Sequence, residues 1–212
     1  MAVLRQVRVG ALLALFAAAI SGSAEAQTFA SLPKAGTVGR IDTTGPARPV
    51  KAWTAFCERY ADECDVNAFE PASVTLSAKL WRTLNAVNQK VNATIKPTTD
   101  QDHWGLVDRW DLPTDGRGDC EDIQLQKRKI LVEQYGVPKR ALRMTVVIDE
   151  QGEGHAVLMV RTDEGELILD NKRDAILPWH QTGYVFIKRE GQDNRNWVSL
   201  GDVSSPVTTA NQ

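Results

Sequence analysis

"ALRMTVVIDEQGEGHAVLMVRTDEGELILD", residues 141–170, carries the pattern that decides the fold. Short β-branched and apolar runs are separated by "QGEG" (151–154) and "DEG" (163–165), which are turn chemistry. The stretch therefore predicts three antiparallel strands: "ALRMTVVIDE", "HAVLMVRT" and "ELILD". "GYVFIKRE" (183–190) and "NWVSLG" (196–201) add two more. Upstream the period is helical. Between Ser73 and Ile95, the residues Leu76, Leu80, Leu84, Val87, Val91 and Ile95 recur at spacings of three and four, with Trp81 beside them and the Asn residues mostly off the stripe. Pro97 ends that helix. A second helix is expected from Cys120 to Tyr135, with Asp119 as its N-cap and Gly136 past its end. Ile123, Ile130 and Tyr135 face inward on it, and Leu125 and Leu131 broaden the stripe. Helices followed by an antiparallel meander define an α+β domain.

The outer segments read differently. Arg5 and Arg8 precede the apolar run "VGALLALFAAAI", and Ala24-Glu25-Ala26 fits a small-x-small cleavage site, so residues 1–26 are expected to be a secretory signal peptide. Residues 27–50 are expected to form a flexible N-terminal arm, 51–202 the domain, and 203–212 a disordered tail. Nothing after the leader is apolar enough to hold the chain in a membrane. The 212 residues carry a formal net charge of −2, which gives no global electrostatic case for nucleic-acid binding. Lys127, Arg128 and Lys129 read as a solvated helix face.

Export changes how the three cysteines read. In an oxidising compartment Cys57 and Cys64, in "FCERYADEC", are expected to pair. Zinc is the competing reading for the pair, but neither a His nor a third Cys lies nearby. Cys120 is left over at the start of a helix, in "GRGDCEDIQLQKRKILVEQYG" (116–136). Hairpin arithmetic places Asp170 within a residue or two of the position opposite His155, close enough for an Nδ1–H to carboxylate bond. A helix packed on that sheet can bring Cys120 to His155. Together the three side chains suit nucleophilic acyl chemistry: imidazole takes the thiol proton, the carboxylate orients the imidazole, and the first N–H groups of the helix face an oxyanion. Each residue alone also has a structural reading, as inert core, strand start or turn.

"GDCEDIQLQKRKILVEQYGVPKRALRMTVV", "GEGHAVLMVRTDEGELILDN" and "LPWHQTGYVFIKRE" together resemble the bacterial transglutaminase-like cysteine peptidases. These are exported proteins related to LapG-type periplasmic proteases that release biofilm adhesins. The resemblance runs in patches from about Trp53 to Leu200. It implies a papain-like or transglutaminase-like core with the nucleophile helix packed on an antiparallel sheet, with Cys120 as nucleophile, His155 as base and Asp170 as orienting acid. It also implies a periplasmic location and a protein or peptide substrate cleaved through a thioester. No cofactor is required for that chemistry, and no regulatory partner can be read from the chain. Transfer to an amine (a transglutaminase or amidase) and a catalytically silent binding protein are the alternatives.

The acids around Cys120 admit two readings. Asp119, Glu121 and Asp122 supply the clustered oxygens that Ca²⁺ requires, and the adhesin-releasing relatives are calcium-dependent. Alternatively Asp119 only caps the helix while Glu121 and Asp122 favour its first turn. His103 and His180 read as surface or structural residues. Trp104, Trp110 and Trp179 read as packing, with Trp110 placed to line a cleft.

Overall fold

The structure is a computed structural model that describes residues 39–204. The expected leader (1–26), the first part of the arm (27–38) and the end of the tail (205–212) lie outside the described residues. The helices are α1 (Lys51–Arg59), α2 (Ala61–Cys64), α3 (Ala78–Thr94), α4 (Asp100–Trp104) and α5 (Cys120–Tyr135). The strands are β1 (Gly45–Ala47), β2 (Lys96–Pro97), β3 (Arg117–Gly118), β4 (Leu142–Ile148), β5 (Gly154–Thr162), β6 (Gly165–Leu169), β7 (Leu177–Pro178), β8 (Val185–Glu190) and β9 (Trp197–Ser204).

Seven strands form one antiparallel sheet in the order β1-β9-β8-β4-β5-β6-β7. The expected meander holds from β4 to β7 and then breaks. The chain returns so that β8 pairs with the free edge of β4, which places β4 and β5 at the centre. Alternation along a strand reveals its two faces but not its neighbour, which is why this crossover was invisible. Both faces are covered. Met144, Leu158, Val160, Leu167 and Leu169 pack with the helices, while Val147, Val157, Met159, Ile168 and Phe186 form a second cluster on the other side. Every residue of β5 after Gly154 is buried, which explains its nearly continuous apolar run.

α5 lies on the first face, against β5 and α3. Its bounds match expectation, and Gly136 closes it in the left-handed region at φ 64°. Its polar run does not. Lys127 and Arg128 are buried, so the expected solvated face exists only around Lys129. Arg128 reaches across to Glu190 on β8 at 2.8 Å, and the same carboxylate accepts from Trp53 Nε1 of α1 at 2.7 Å and from the Met144 amide at 2.9 Å. One buried acid thereby joins α1, α5 and the sheet. Tyr135, expected inside, is 51% exposed.

α3 starts later than the apolar period suggested, because Ser77 caps it by accepting from the Leu80 amide at 3.1 Å. Val74 and Leu76 instead bond to Arg161 and Asp163 at the β5–β6 hairpin. Asn88, expected off the apolar stripe, is fully buried. The arm is not free where it is described. β1 pairs with β9, and the Ile41 amide donates to Glu166 at 2.7 Å. β9 likewise runs to Ser204, into the stretch expected to be tail. Cys57 and Cys64 form a disulfide joining α1 to α2. Among the described residues no helix is long and apolar enough to cross a membrane.

Candidate active site

Cys120 is the first residue of α5 and is half-buried. The approach to it depends on Gly118, where a Cβ would lie 2.7 Å from Asp122 Cβ. Any side chain there would push α5 off the incoming strand. The thiol donates to Glu121 Oε2 at 3.0 Å, and its sulfur accepts from the Ala156 amide at 3.4 Å. Cys120 therefore touches β5 at the residue after His155. Burial pushes the thiol well above its ordinary value, Glu121 and Asp119 add to the shift, and the Ala156 N–H opposes it. The acidic neighbours thus oppose the influence of the helix N-terminus on the sulfur.

His155 and Asp170 have met. Asp170 follows β6 with the parity of Ile168, His155 shares parity with Val157, and the two side chains lie on one face. The contact is through Nε2, at 2.8 Å from Asp170 Oδ1, and not through Nδ1 as the hairpin geometry suggested. Asp170 sits one residue beyond the paired register of β6. Asp170 also accepts from the Lys172 amide at 3.0 Å and from the Tyr184 hydroxyl at 2.5 Å. Burial alone would raise its carboxyl, but the bond and charge of His155, with Tyr184 and Lys172, hold it down at about 2. An ionised acceptor at Nε2 fixes the proton there and leaves Nδ1 as the basic nitrogen.

Tyr184 was missed by sequence reasoning. It is fully buried, stands edge-on to His155 at 5.9 Å, and accepts from Arg173 at 3.1 Å. Burial and the neighbouring carboxylate raise its phenol, which keeps it a donor. The only signal was its place at the start of a strand, which is also where ordinary core tyrosines occur.

The acids divide differently from expectation. Asp100 of α4, Asp119 and Glu121 bring one carboxylate oxygen each within 4.8 Å of one another. Asp122 is not part of this group. Its Oδ1 accepts from the Asp111 amide at 2.6 Å, and burial raises its carboxyl to about 8. Asp100 was unreadable because its loop brings it there from 19 positions upstream of Asp119. Asp119 occupies the N-cap position but makes no side-chain capping bond. Oδ1 of Asp119 and Oδ1 of Asp100 are buried without a hydrogen-bond partner. Burial, then Asp100, lifts Asp119 to about 6, and burial, then Asp119, lifts Glu121 well above its usual range. Unsatisfied buried oxygens on converging carboxyls are a donor set that fits a hard cation.

The other candidates lie elsewhere. His103 contacts Asp115 at 2.9 Å and stacks on Trp104 at 4.0 Å. His180 sits in a single helical turn beside Gln181. Trp179 donates to the Gly39 carbonyl at 2.8 Å. Trp110 does not line a cleft; it is buried in the core, 6.2 Å from Trp197. A groove of about 650 Å³ between α1–α2 and the second half of α5 is lined by residues such as Tyr60, Glu63 and Lys129, and includes none of the three triad candidates.

A cysteine at a helix start, touching a strand that carries a histidine–carboxylate pair, is the arrangement of cysteine peptidases. The family model described as bacterial transglutaminase-like cysteine proteinase, BTLCP, matches residues 43–205, and the chain belongs to that family. Its fold is accordingly the transglutaminase-like α+β fold of a cysteine peptidase. Solved structures of Legionella pneumophila LapG are similar to it. The calcium-bound form aligns at 24% identity and a TM-score of 0.49, over 76% of this chain and 84% of that one. A second LapG structure aligns at 27% and 0.48 over 72% and 80%, and the EGTA-treated form at 27% and 0.47 over 70% and 76%. No curated protein matches the sequence.

Proposed function

We propose that the protein is an exported periplasmic peptidase in which Cys120 is the nucleophile, His155 the general base and acid, and Asp170 the orienting carboxylate. The observation that carries this reading is the 2.8 Å His155–Asp170 contact on the strand whose next amide touches Cys120 Sγ. His155 Nδ1 takes the thiol proton, and sulfur adds to the scissile carbonyl. The amine leaves with that proton, and a thioester remains on Cys120. Water then attacks the thioester, gives a proton to the same imidazole, and releases the acid and the free thiol. N–H groups at the start of α5 face the oxyanion.

Asp100, Asp119 and Glu121 are the residues that would hold a calcium ion, and a bound ion would supply positive charge beside the sulfur. Without it, the carboxyl groups oppose ionisation of Cys120. Calcium is therefore expected to raise the melting temperature by the linkage of a ligand to the native state, about 2.7 kcal/mol at a hundredfold excess over Kd. Asp100→Asn should weaken that effect by about tenfold or more in calcium concentration. A melting curve unmoved by calcium would remove the ion from the account.

The substrate follows from the location, a protein of the periplasm or cell surface. To test the reading, periplasmic protein is incubated with wild type or with Cys120→Ala, and new protein N-termini are sequenced by mass spectrometry. New termini appearing only with wild type are expected. Identical sets would mean that the fold serves binding instead of cleavage.

A further inference from the structure

Tyr184 directly precedes β8, and two strands, β4 and β5, separate β8 from β6 and the Asp170 that follows it. Its ring is fully buried in the cluster of Val147, Val157, Met159 and Phe186. A phenylalanine would fill that place equally well, so packing explains the ring and leaves the hydroxyl unexplained. That oxygen stands between two groups of opposite charge. It donates to Asp170 Oδ2 at 2.5 Å and accepts from Arg173 Nη2 at 3.1 Å. A guanidinium can only donate, so the single hydroxyl proton is directed at the carboxylate.

Arg173 is itself in reach of that carboxylate. Its Nε lies 3.7 Å from Asp170 Oδ2, and its guanidinium lies 5.2 Å from the centre of the Tyr184 ring. On the other side, Oδ1 of Asp170 serves His155 Nε2 at 2.8 Å and the Lys172 amide at 3.0 Å. An arginine paired with a carboxylate favours a fork in which two N–H groups take both oxygens, and such a charge-assisted pair is stronger than a bond from a neutral imidazole. Direct pairing with Arg173 would rotate the carboxylate and draw Oδ1 away from His155. The Tyr184 hydroxyl occupies Oδ2 and itself accepts from the guanidinium, whose Nη2 also pairs with Glu150. The other cation of the loop, Lys172, is paired with Asp149.

We infer that the Tyr184 hydroxyl is a spacer between Arg173 and Asp170, and that Tyr184 is thereby a positioning residue of the peptidase site: it reserves Asp170 for His155. The inference rests on the triad reading above and adds a residue to it.

The test compares wild type, Tyr184→Phe, the double variant Tyr184→Phe/Arg173→Gln and His155→Ala in calcium-containing buffer. Three quantities are read: the melting temperature, the rate at which iodoacetamide alkylates Cys120, and the tautomer of His155. The tautomer is taken from the nitrogen chemical shifts of the ring in NMR spectra, recorded at mildly alkaline pH on the same proteins carrying Cys120→Ala. Tyr184→Phe keeps the ring and is expected to stay folded, yet to alkylate about tenfold or more slowly, a loss typical of a displaced catalytic geometry. Its His155 should populate Nδ1–H beside the single Nε2–H form of wild type. Removing Arg173 as well should speed alkylation by about threefold or more over Tyr184→Phe, a coupling of the size that residues in contact show. A hydroxyl that served only the fold would lower the melting temperature and leave the tautomer alone. A wild-type alkylation rate, a single Nε2–H tautomer or an unfolded protein in Tyr184→Phe each overturns the inference. So does a folded double variant no faster than Tyr184→Phe; if the double variant does not fold, the rate and tautomer of Tyr184→Phe decide. If His155→Ala alkylates like wild type, the triad reading falls first and this inference falls with it. A slow His155→Ala beside a Tyr184→Phe like wild type ends the inference alone.

Discussion

Asp170→Asn is expected to lower the rate of cleavage by roughly 10²–10⁴-fold while leaving the protein folded. Both carboxylate oxygens of Asp170 are acceptors in use: Oδ1 for His155 Nε2–H and the Lys172 amide, Oδ2 for the Tyr184 hydroxyl. A carboxamide has one oxygen. If it faces His155, the NH₂ group faces Tyr184, whose hydroxyl can turn and accept. The tautomer then survives but the charge that stabilises the imidazolium is gone. If the amide flips, its N–H groups meet donors on the other side, and Nε2 becomes the basic nitrogen in place of Nδ1. Either outcome damages proton transfer and neither empties the core. Turnover of the cleaved protein, measured beside a denaturation curve, separates a lost reaction from a lost fold. Activity within about threefold of wild type would show that Asp170 has no part in orienting His155.

Glu190→Ala is expected to have the largest effect on stability, a loss of roughly 3–5 kcal/mol. The substitution strands Arg128 inside the protein, 1% exposed, and removes the acceptor of Trp53 Nε1 and of the Met144 amide. Domains of this kind have only about 5–15 kcal/mol in hand, so the variant should unfold at far lower urea. Burial alone would raise the Glu190 carboxyl, but Arg128 and Arg143 hold it below its ordinary value. The sign follows directly: its contribution is complete above the unfolded carboxylate range and is lost as pH falls through the depressed native value. The difference in stability between wild type and Glu190→Ala should therefore shrink in acid. A constant difference across that range would mean that Glu190 acts through packing instead of charge.

The parts of this molecule that were legible in the sequence are those written as local pattern. Strand alternation, the helix from Cys120 to Tyr135, the Gly136 cap and the Cys57–Cys64 loop all depend on residues a few positions apart. The pairing of His155 with Asp170 was legible for the same reason, since a hairpin converts spacing into proximity. Features that join distant segments were not. Asp100 enters the acidic cluster, Glu190 meets Arg128, and β8 pairs with β4, all through tertiary placement without a local signature. Lys127 and Arg128 show the reverse error. A run of three cations reads as a wet surface until the helix is found packed on both sides, with the buried Glu190 to meet Arg128. Asp119 was correctly placed at the helix start, but its oxygen turns away from the cap and toward Asp100 and Glu121.

The central claim is that His155 activates Cys120. It is tested most directly by the pH dependence of Cys120 alkylation in wild type and His155→Ala, each with calcium and with chelator. With calcium, wild type should react as a thiolate well below the free-cysteine value of about 8.5, and His155→Ala should lose that reactivity. With chelator, the carboxyl groups beside the sulfur should return the thiol to its protonated state. One ordinary thiol profile, shared by both proteins with and without calcium, would contradict the account.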